Sequence, residues 1–443
     1  MAAGSPATLS STGFDHFFLE YVMPGLEKGF YTNSKLYDRF KTETETCLGK
    51  YGIIKVETNS ANSFGPKSTT AYPTALHPQF DQFQFYMKRI YGKLDFDGLL
   101  VACSKGAGAI KELVKEETES LMSYIPRKMN KIYWGDGSGR LAIISNAATG
   151  TAPTVDGDTT NWGLFGIDAN GYSNPSQYLF TNMAFDVWRA GPTQATGIAE
   201  TDLITAISAG GAGTDTLTTG SFTYASDDFI FDYGGYAASE AAGTGVPMGL
   251  AGIVTTSNPY IGVTASTAFQ GINRATAGNE WASGQVFDMG AAITTPAVIT
   301  ESKILQVIQA VEKWGKCDVI LTNEFIWRAL FEILKADKTM PNDPGYWGGL
   351  QGMKFYGGHS NGIPIVWDED CPDGRVYFLD SNTIKVSAPV KNGFTFEPGS
   401  SGHILTKRED VDEYTANIKF YYNLTCRKPR ANALLRYVKH ASA

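Results

Sequence analysis

The chain has 443 residues, of which 43% are hydrophobic and 12% aromatic, so it can bury more than one core and is not globally disordered. Its net charge is −8, from 37 basic and 45 acidic residues, with no long Lys/Arg run, which disfavours nucleic-acid binding through a field of phosphate contacts. No apolar run is long enough for a membrane-spanning helix, and Met1 to Gly13 lacks the basic and apolar regions of a signal peptide.

The charge is unevenly spread. Residues 141–302 hold 14 acidic residues and two basic ones, Arg189 and Arg274, a net of −12, and the remainder carries +4. Cys47, Cys103, Cys317, Cys371 and Cys426 are scattered, with no CxxC spacing. Reduced, buried thiols from a reducing cytoplasm fit that pattern, with an intersubunit disulfide as the alternative.

In chain order, residues 14–40 form an aromatic arm: Phe14, Phe17, Phe18, Tyr21, a break at Pro24-Gly25, then Phe30, Tyr31, Tyr37 and Phe40. Such an arm cannot bury its rings alone. It either wraps over its own domain or lies across a neighbouring subunit. Residues 51–58 read as one strand and residues 82–94 as a second, with Phe83, Phe85 and Met87 alternating with polar partners. Between them, Asn59 to Gln79 is polar and aperiodic, the long tip of a hairpin.

A helix is expected from about Ser104 to Tyr133, with Ile110, Leu113, Val114, Leu121, Ile125, Met129 and Ile132 on one face. Pro126 predicts a kink or break, and Gly135-Asp136-Gly137-Ser138-Gly139 stops the helix. At ~1.5 Å per residue this strut spans roughly 30–45 Å. Residues 150–260 read as all-β, with short apolar runs at Gly163–Ile167, Leu203–Ile207, Thr216–Thr219, Phe229–Tyr233 and Leu250–Val254.

Helix–strand alternation follows. Thr300 is placed to cap a helix holding Ile304, Val307, Ile308 and Val311, closing at Gly315. Asp318 to Thr322 reads as a buried strand, and Asn323 caps a helix over Glu324 to Lys335. Short strands are expected at Met353–Tyr356, Ile363–Trp367 and Val376–Leu379, with turns at Asn361-Gly362 and Asp373-Gly374. A strand over Ala416–Thr425 leads into the basic tail, Arg427, Lys428, Arg430 and Arg436.

The search for chemistry returns little. The glycines of 135–139 follow a helix and precede no Lys-Ser/Thr, so they read as a turn and not a phosphate cradle. His16, His77, His359, His403 and His440 show no metal-ligand spacing, and there is no GxSxG elbow. Asp156-Gly157-Asp158 and Trp367-Asp368-Glu369-Asp370 lack the calcium-loop pattern and read as solvated acidic turns. No catalytic residue, cofactor or metal is expected.

The order of these elements resembles the major capsid protein family of tailed bacteriophages. Tyr91-Gly92-Lys93-Leu94 leads into the helix as that family's sequences do. Lys131 to Gly139, Gly271-Ile272-Asn273-Arg274 with Trp281, Asp318 to Asn323, and Leu424 through Tyr437 resemble further recurring segments. The resemblance implies an α+β fold with a long spine helix, a β-hairpin extended loop, a peripheral domain and an axial domain, here with a Gly/Thr-rich β insertion. It divides the chain into an N-terminal arm (1–47), extended loop (48–95), spine helix with part of the peripheral domain (96–149), acidic β-rich segment (150–260), peripheral/axial α/β segment (261–349), axial strands and loops (350–410) and a C-terminal strand returning to the peripheral domain (411–443).

The implied function is a non-enzymatic structural protein that self-assembles into pentamers and hexamers of an icosahedral head around double-stranded DNA. It would be made and assembled in the host cytoplasm and reside in the virion. Its partners would be further copies of itself and a portal protein. A separate scaffold or assembly without one, and decoration proteins, stay open; DNA would be contacted weakly and no membrane at all. Candidate intersubunit contacts are Phe14, Phe17, Phe18, Tyr21, Phe64, Lys67 and Tyr72. Lys67 is also the candidate for the Lys–Asn crosslink that some relatives of that family form. Candidate hinges are Gly98, Gly106, Gly108, Gly135, Gly137 and Gly139. The competing readings are a tail tube, sheath or surface-layer subunit, and an intracellular hydrolase with a β-rich insertion.

Overall fold

The computed structural model describes residues 36, 40–44, 47–59, 77–97, 124–125, 127–156, 176–189, 193–195, 202–209, 214–237, 245–292, 295–336, 354–355, 362–389, 394–397, 404, 406–407 and 412–439. The arm rings from Phe14 to Tyr37, the hairpin tip with Phe64, Lys67 and Tyr72, and Gly98, Gly106 and Gly108 lie outside the described residues, as does the helix before residue 124.

The fold is α+β, with mixed sheets and few helices among the described residues. One sheet is organised on the long strand β26 (Glu413–Cys426). It pairs with β23 (Ile384–Ser387), β24 (Phe394–Glu397), β25 (Thr406–Lys407) and, over ten residues, with β5 (Lys88–Asp97). Beyond β23 lies β1 (Lys41–Glu43), parallel to it, with Arg427 and Glu43 in a 2.7 Å ion pair. Leu36 and Phe40 are buried, so this proximal end of the arm rests on its own subunit.

A second sheet runs β17 (Gln285–Asp288), β27 (Ala433–Arg436), β22 (Val376–Leu379), β19 (Val319–Thr322), β21 (Ile363–Trp367) and β20 (Lys354–Phe355). β19 and β22 are buried along their whole length, as their unbroken apolar runs Val-Ile-Leu-Thr and Val-Tyr-Phe-Leu require of central strands. The C-terminal strand β27 thus lies inside this sheet, between β17 and β22. A third, seven-stranded sheet runs β10 (Thr193–Gln194), β9 (Phe185–Arg189), β14 (Phe229–Asp232), β6 (Arg140–Ile144), β8 (Thr154–Asp156), β12 (Thr214–Thr218) and β11 (Ala206–Ala209). It carries the acidic segment and begins at Arg140, directly after the Gly135–Gly139 turn. Two-stranded pairs join β7 (Ala148–Gly150) to β13 (Phe222–Tyr224), β15 (Tyr260–Ile261) to β16 (Thr264–Ala265), and β18 (Ala297–Val298) to β28 (Val438–Lys439).

The helices are α1, described at residues 124–125 and 127–134, α2 (Leu250–Ile253), α3 (Glu301–Glu312) and α4 (Glu324–Ala336). In α3, Ile304, Val307, Ile308 and Val311 are buried at helical spacing. Asn323 caps α4, its Oδ1 accepting from Ile326 N at 2.9 Å.

Four expectations are corrected. The run 82–94 is two strands, β4 (Gln79–Tyr86) and β5, divided at Met87. The alternation alone could not reveal this, because both strands are amphipathic and differ only in the sheet they join. Leu250–Val254 is not a strand: it is the single helical turn α2, where Gly249 and Gly252 fit against other backbone. Thr300 occupies the N-cap position of α3, but its side chain makes no capping bond. The loop Asp368–Asp370 is not a solvated turn, because Asp368 and Asp370 are buried.

Candidate assembly hairpin and its anchoring hub

β3 (Tyr51–Asn59) and β4 form the hairpin, with Tyr51 opposite Tyr86 and Glu57 opposite Phe80. β2 (Cys47–Leu48) pairs with its first two residues only. Strand alternation sends Gly52, Ile54 and Val56 inward with Phe83 and Phe85, and turns Tyr51, Ile53, Lys55 and Glu57 outward with Phe80, Gln82, Gln84 and Tyr86. The inward rings are fully buried; Phe83 meets Phe269 edge-on at 5.8 Å and Trp281 at 5.1 Å. Each such ring contributes about 2 kcal/mol of burial. Outside, Phe80 is 66% and Tyr51 38% exposed. Past Gly52, the outer edge of β3 has no strand partner among the described residues.

The hairpin root is fixed from several sides. Gln84 N donates to Gln270 O at 2.8 Å, and Asn423 Nδ2 donates to Tyr86 O at 2.9 Å. Gln270 sits in the left-handed region at φ 47 and sends its amide nitrogen to Leu424 O at 3.2 Å. One tight turn thereby joins β4 to β26. Beside it, the buried Arg274 donates to Ala282 O at 2.8 Å, Gly252 O and Ile253 O at 2.9 Å, and Ser257 O at 3.0 Å. Its guanidinium lies 3.6 Å from the centre of the Phe269 ring. Burial pushes its pKa down to about 9, so it stays charged at neutral pH. Arg274 closes the C-terminal carbonyls of α2 and supports the ring against which Phe83 packs.

The second half of the hub is the end of α1. Gly135 N closes on Ile132 O at 3.0 Å, and Gly137 and Gly139 take φ 85 and 84, where side chains are strained. Asp136 accepts from Ser138 N at 2.8 Å, from the Ser138 hydroxyl, and from Arg140 Nη2 at 2.7 Å. The Arg140 guanidinium stacks 4.3 Å from the Tyr260 ring centre. On the helix itself, Lys128 pairs with Asp232 of β14 at 3.1 Å. Asn130 Nδ2 reaches Asp368 Oδ1 at 3.0 Å and Asp370 Oδ2 at 2.7 Å. Tyr178 Oη donates to Asp370 O at 2.9 Å. A cavity of about 490 Å3 opens here, with Arg127, Lys131, Ile132, Phe180 and Glu369 among its walls.

No family model matches the chain, and no curated protein matches it. Its neighbours among solved structures include phage and GTA capsid chains and an encapsulin. It is similar to the capsid asymmetric unit of cyanophage A-1(L), at 13% identity over 92% of each chain with a TM-score of 0.47. It is similar to the capsid of the native GTA particle, at 11% identity over 92% of this chain and 91% of that one, TM-score 0.44. It is also similar to the holo-SrpI encapsulin complex from Synechococcus elongatus PCC 7942, at 9% identity over 100% of this chain and 95% of that one, TM-score 0.39.

Of the candidate contact and hinge residues, the structure describes Gly135, Gly137 and Gly139, and it places them together in the α1 elbow. Cys317, Cys371 and Cys426 are buried, and burial pushes the Cys426 thiol up to about 12. Among the described residues no group of three His, Cys, Asp or Glu is placed to hold a metal ion, and no helix is long and apolar enough to cross a membrane. The sequence did not single out Phe80, Asn130 or Gln270, and it put the buried Asp368–Asp370 loop at the surface. Phe80 had a signal: it is the ring out of phase with Phe83 and Phe85 on β4. The others act through backbone groups or distant partners, which no local spacing encodes.

Proposed function

We propose that this chain is the repeating subunit of a closed protein shell, the major capsid protein of a tailed-phage head. On this reading it forms pentamers and hexamers around packaged double-stranded DNA, without an enzymatic role. The observation that supports it best is the β3–β4 hairpin. Its root is locked into the main core, while its outer face shows Phe80 and Tyr51 and its long edge is uncovered by the described chain. A rigidly rooted, sticky projection wastes stability in a monomer and gains it when a neighbouring copy covers it. Burying one such ring contributes about 2 kcal/mol per contact, and a closed symmetric shell repeats that contact around every subunit.

The arm rings Phe14, Phe17, Phe18 and Tyr21, with Phe64, Lys67 and Tyr72 of the hairpin tip, are proposed as further contacts between copies. A portal protein, and any scaffold or decoration protein, would meet the assembled surface. The hub supports a fixed elbow at Gly135, Gly137 and Gly139, held by Asp136, Ser138 and Arg140; Gly98, Gly106 and Gly108 stay proposed as hinges.

Electron microscopy of the purified protein tests the reading, with Phe80→Asp as the companion variant. Round closed particles are expected from the native chain. Phe80→Asp should unfold within about 1 kcal/mol of it, because an exposed position contributes little to the monomer, yet its particle yield should fall at least roughly tenfold, the equivalent of about 1.4 kcal/mol per contact. Rods or flat lattices would point to a tube, sheath or surface layer. A strictly monomeric protein would end the shell reading.

A further inference from the structure

Asn130 is buried on α1, and its one amide nitrogen serves three acceptor oxygens on two carboxylates: Asp368 Oδ1 at 3.0 Å, Asp368 Oδ2 at 3.2 Å and Asp370 Oδ2 at 2.7 Å. An NH2 group has two protons for those three oxygens. Asp370 N also donates to Asp368 Oδ1 at 3.0 Å, which folds the loop back and holds the two side chains on the same donor. Two ionised carboxylates crowded in a buried site repel, and a proton on one of them removes that repulsion.

We propose that Asn130, Asp368 and Asp370 form an acid-tightened latch between α1 and the loop joining β21 to β22. Among the described residues, charged and titratable groups reach it from the loop, α1, the 176–178 segment and β22, and Arg127 of α1 lines the same cavity. The loop adds Glu369, which opposes ionisation, and Asp373 and Arg375 stand further along it. From α1, Lys131 favours the ionised form. The 176–178 segment brings Tyr178, whose hydroxyl is spent on the Asp370 carbonyl, and β22 brings Tyr377, which titrates well above neutrality. Burial dominates, Asn130 opposes it and Asp368 adds to it, so the Asp370 carboxyl is pushed up to about 6.

The sign follows from linkage. A carboxyl whose folded pKa lies above its unfolded value of about 4 binds more protons when the latch is closed. Stability of the closed latch therefore rises as pH falls from about 7 toward 5. The latch joins the helix to two sheets, because the loop follows β21 and Tyr178 leads into the seven-stranded sheet. Acidification should stiffen the junction without altering the hairpin. This inference stands whether or not the chain builds a shell.

Hydrogen–deuterium exchange of the full-length protein at pH 7.5 and 5.0, corrected for intrinsic rates, reads the latch directly. Opening of peptides covering 124–134 should become roughly tenfold rarer at pH 5.0, as a carboxyl titrating near 6 requires. Peptides from α3 should change by less than about twofold. In Asp370→Asn, the 124–134 opening should be the same at both pH values. In Asp368→Asn, loss of the repelling neighbour should move the change to lower pH and leave roughly threefold or less in this window. Opening of 124–134 in the native protein that is indifferent to pH, or an Asp370→Asn protein that keeps the native profile, overturns the proposal. If Asp370→Asn does not fold, the native and Asp368→Asn profiles decide it.

Discussion

Arg274 holds its buried positive charge on backbone carbonyls. Its acceptors are four carbonyl oxygens, two of them from the last turn of α2, and its flat face rests on Phe269. Removing it would strand carbonyls in a dry site, and each orphaned group costs about 1–3 kcal/mol. Arg274→Ala is therefore expected to destabilise the subunit by roughly 4 kcal/mol in guanidinium unfolding. Arg274→Lys should recover less than about half, since an ammonium cannot reproduce a planar fork with five donors. A loss under about 1 kcal/mol for the alanine variant would show that the clamp is redundant. The sequence marked Arg274 as one of two basic residues in an acidic stretch and, with Trp281, as part of a segment resembling one that recurs in the capsid family. What the residue does could not be read there, because backbone acceptors carry no residue identity.

At the scale of elements, legibility tracked periodicity. α3 and α4 lie close to where their apolar spacing put them, and β19, β21 and β22 follow their unbroken apolar runs. Elements shaped by another element were not legible. Gly249 begins α2, and a Cβ there would stand 2.4 Å from Gly135 O, 2.6 Å from Ile132 O and 2.7 Å from Tyr133 O. The short helix exists because a glycine lets it abut the end of α1, a contact 114 residues distant along the chain from Gly135. Gly249→Ala is expected to cost more than about 3 kcal/mol, since three backbone atoms must retreat together. Gly150→Ala, with nothing within 4 Å of its added carbon, should cost less than about 1 kcal/mol and serves as the matched control. Thermal unfolding of the pair compares them, and equal melting points would mean that the α1–α2 contact yields without strain.

At the scale of the whole molecule, the acidic segment folds as its own seven-stranded sheet while the hairpin, α1 and β26 share one large core. Asp186 and Asp228 of that sheet are buried, Asp228 against Arg189 at 3.2 Å and Asp186 under Gly234 N at 2.8 Å. Part of the segment's acidity thus holds the sheet together and is not free to repel a polyanion. Three of the four tail cations have partners: Arg427 on Glu43, Arg436 on Asp288 at 2.8 Å, and Arg430 over the Trp314 ring at 4.4 Å, while Lys428 is exposed. With a net charge of −8 and these cations engaged, the subunit offers few phosphate contacts whose counterions could be released. Purified subunit is therefore expected to leave double-stranded DNA unshifted in a gel at about 150 mM salt, with at most a weak, diffuse shift near 20 mM. Neutralising the pairing carboxylates should matter: Glu43→Gln with Asp288→Asn frees two arginines and should strengthen the low-salt shift severalfold. A tight complex at physiological salt, steeply weakened by added salt, would mean that a cationic surface assembles in a way the single chain does not present.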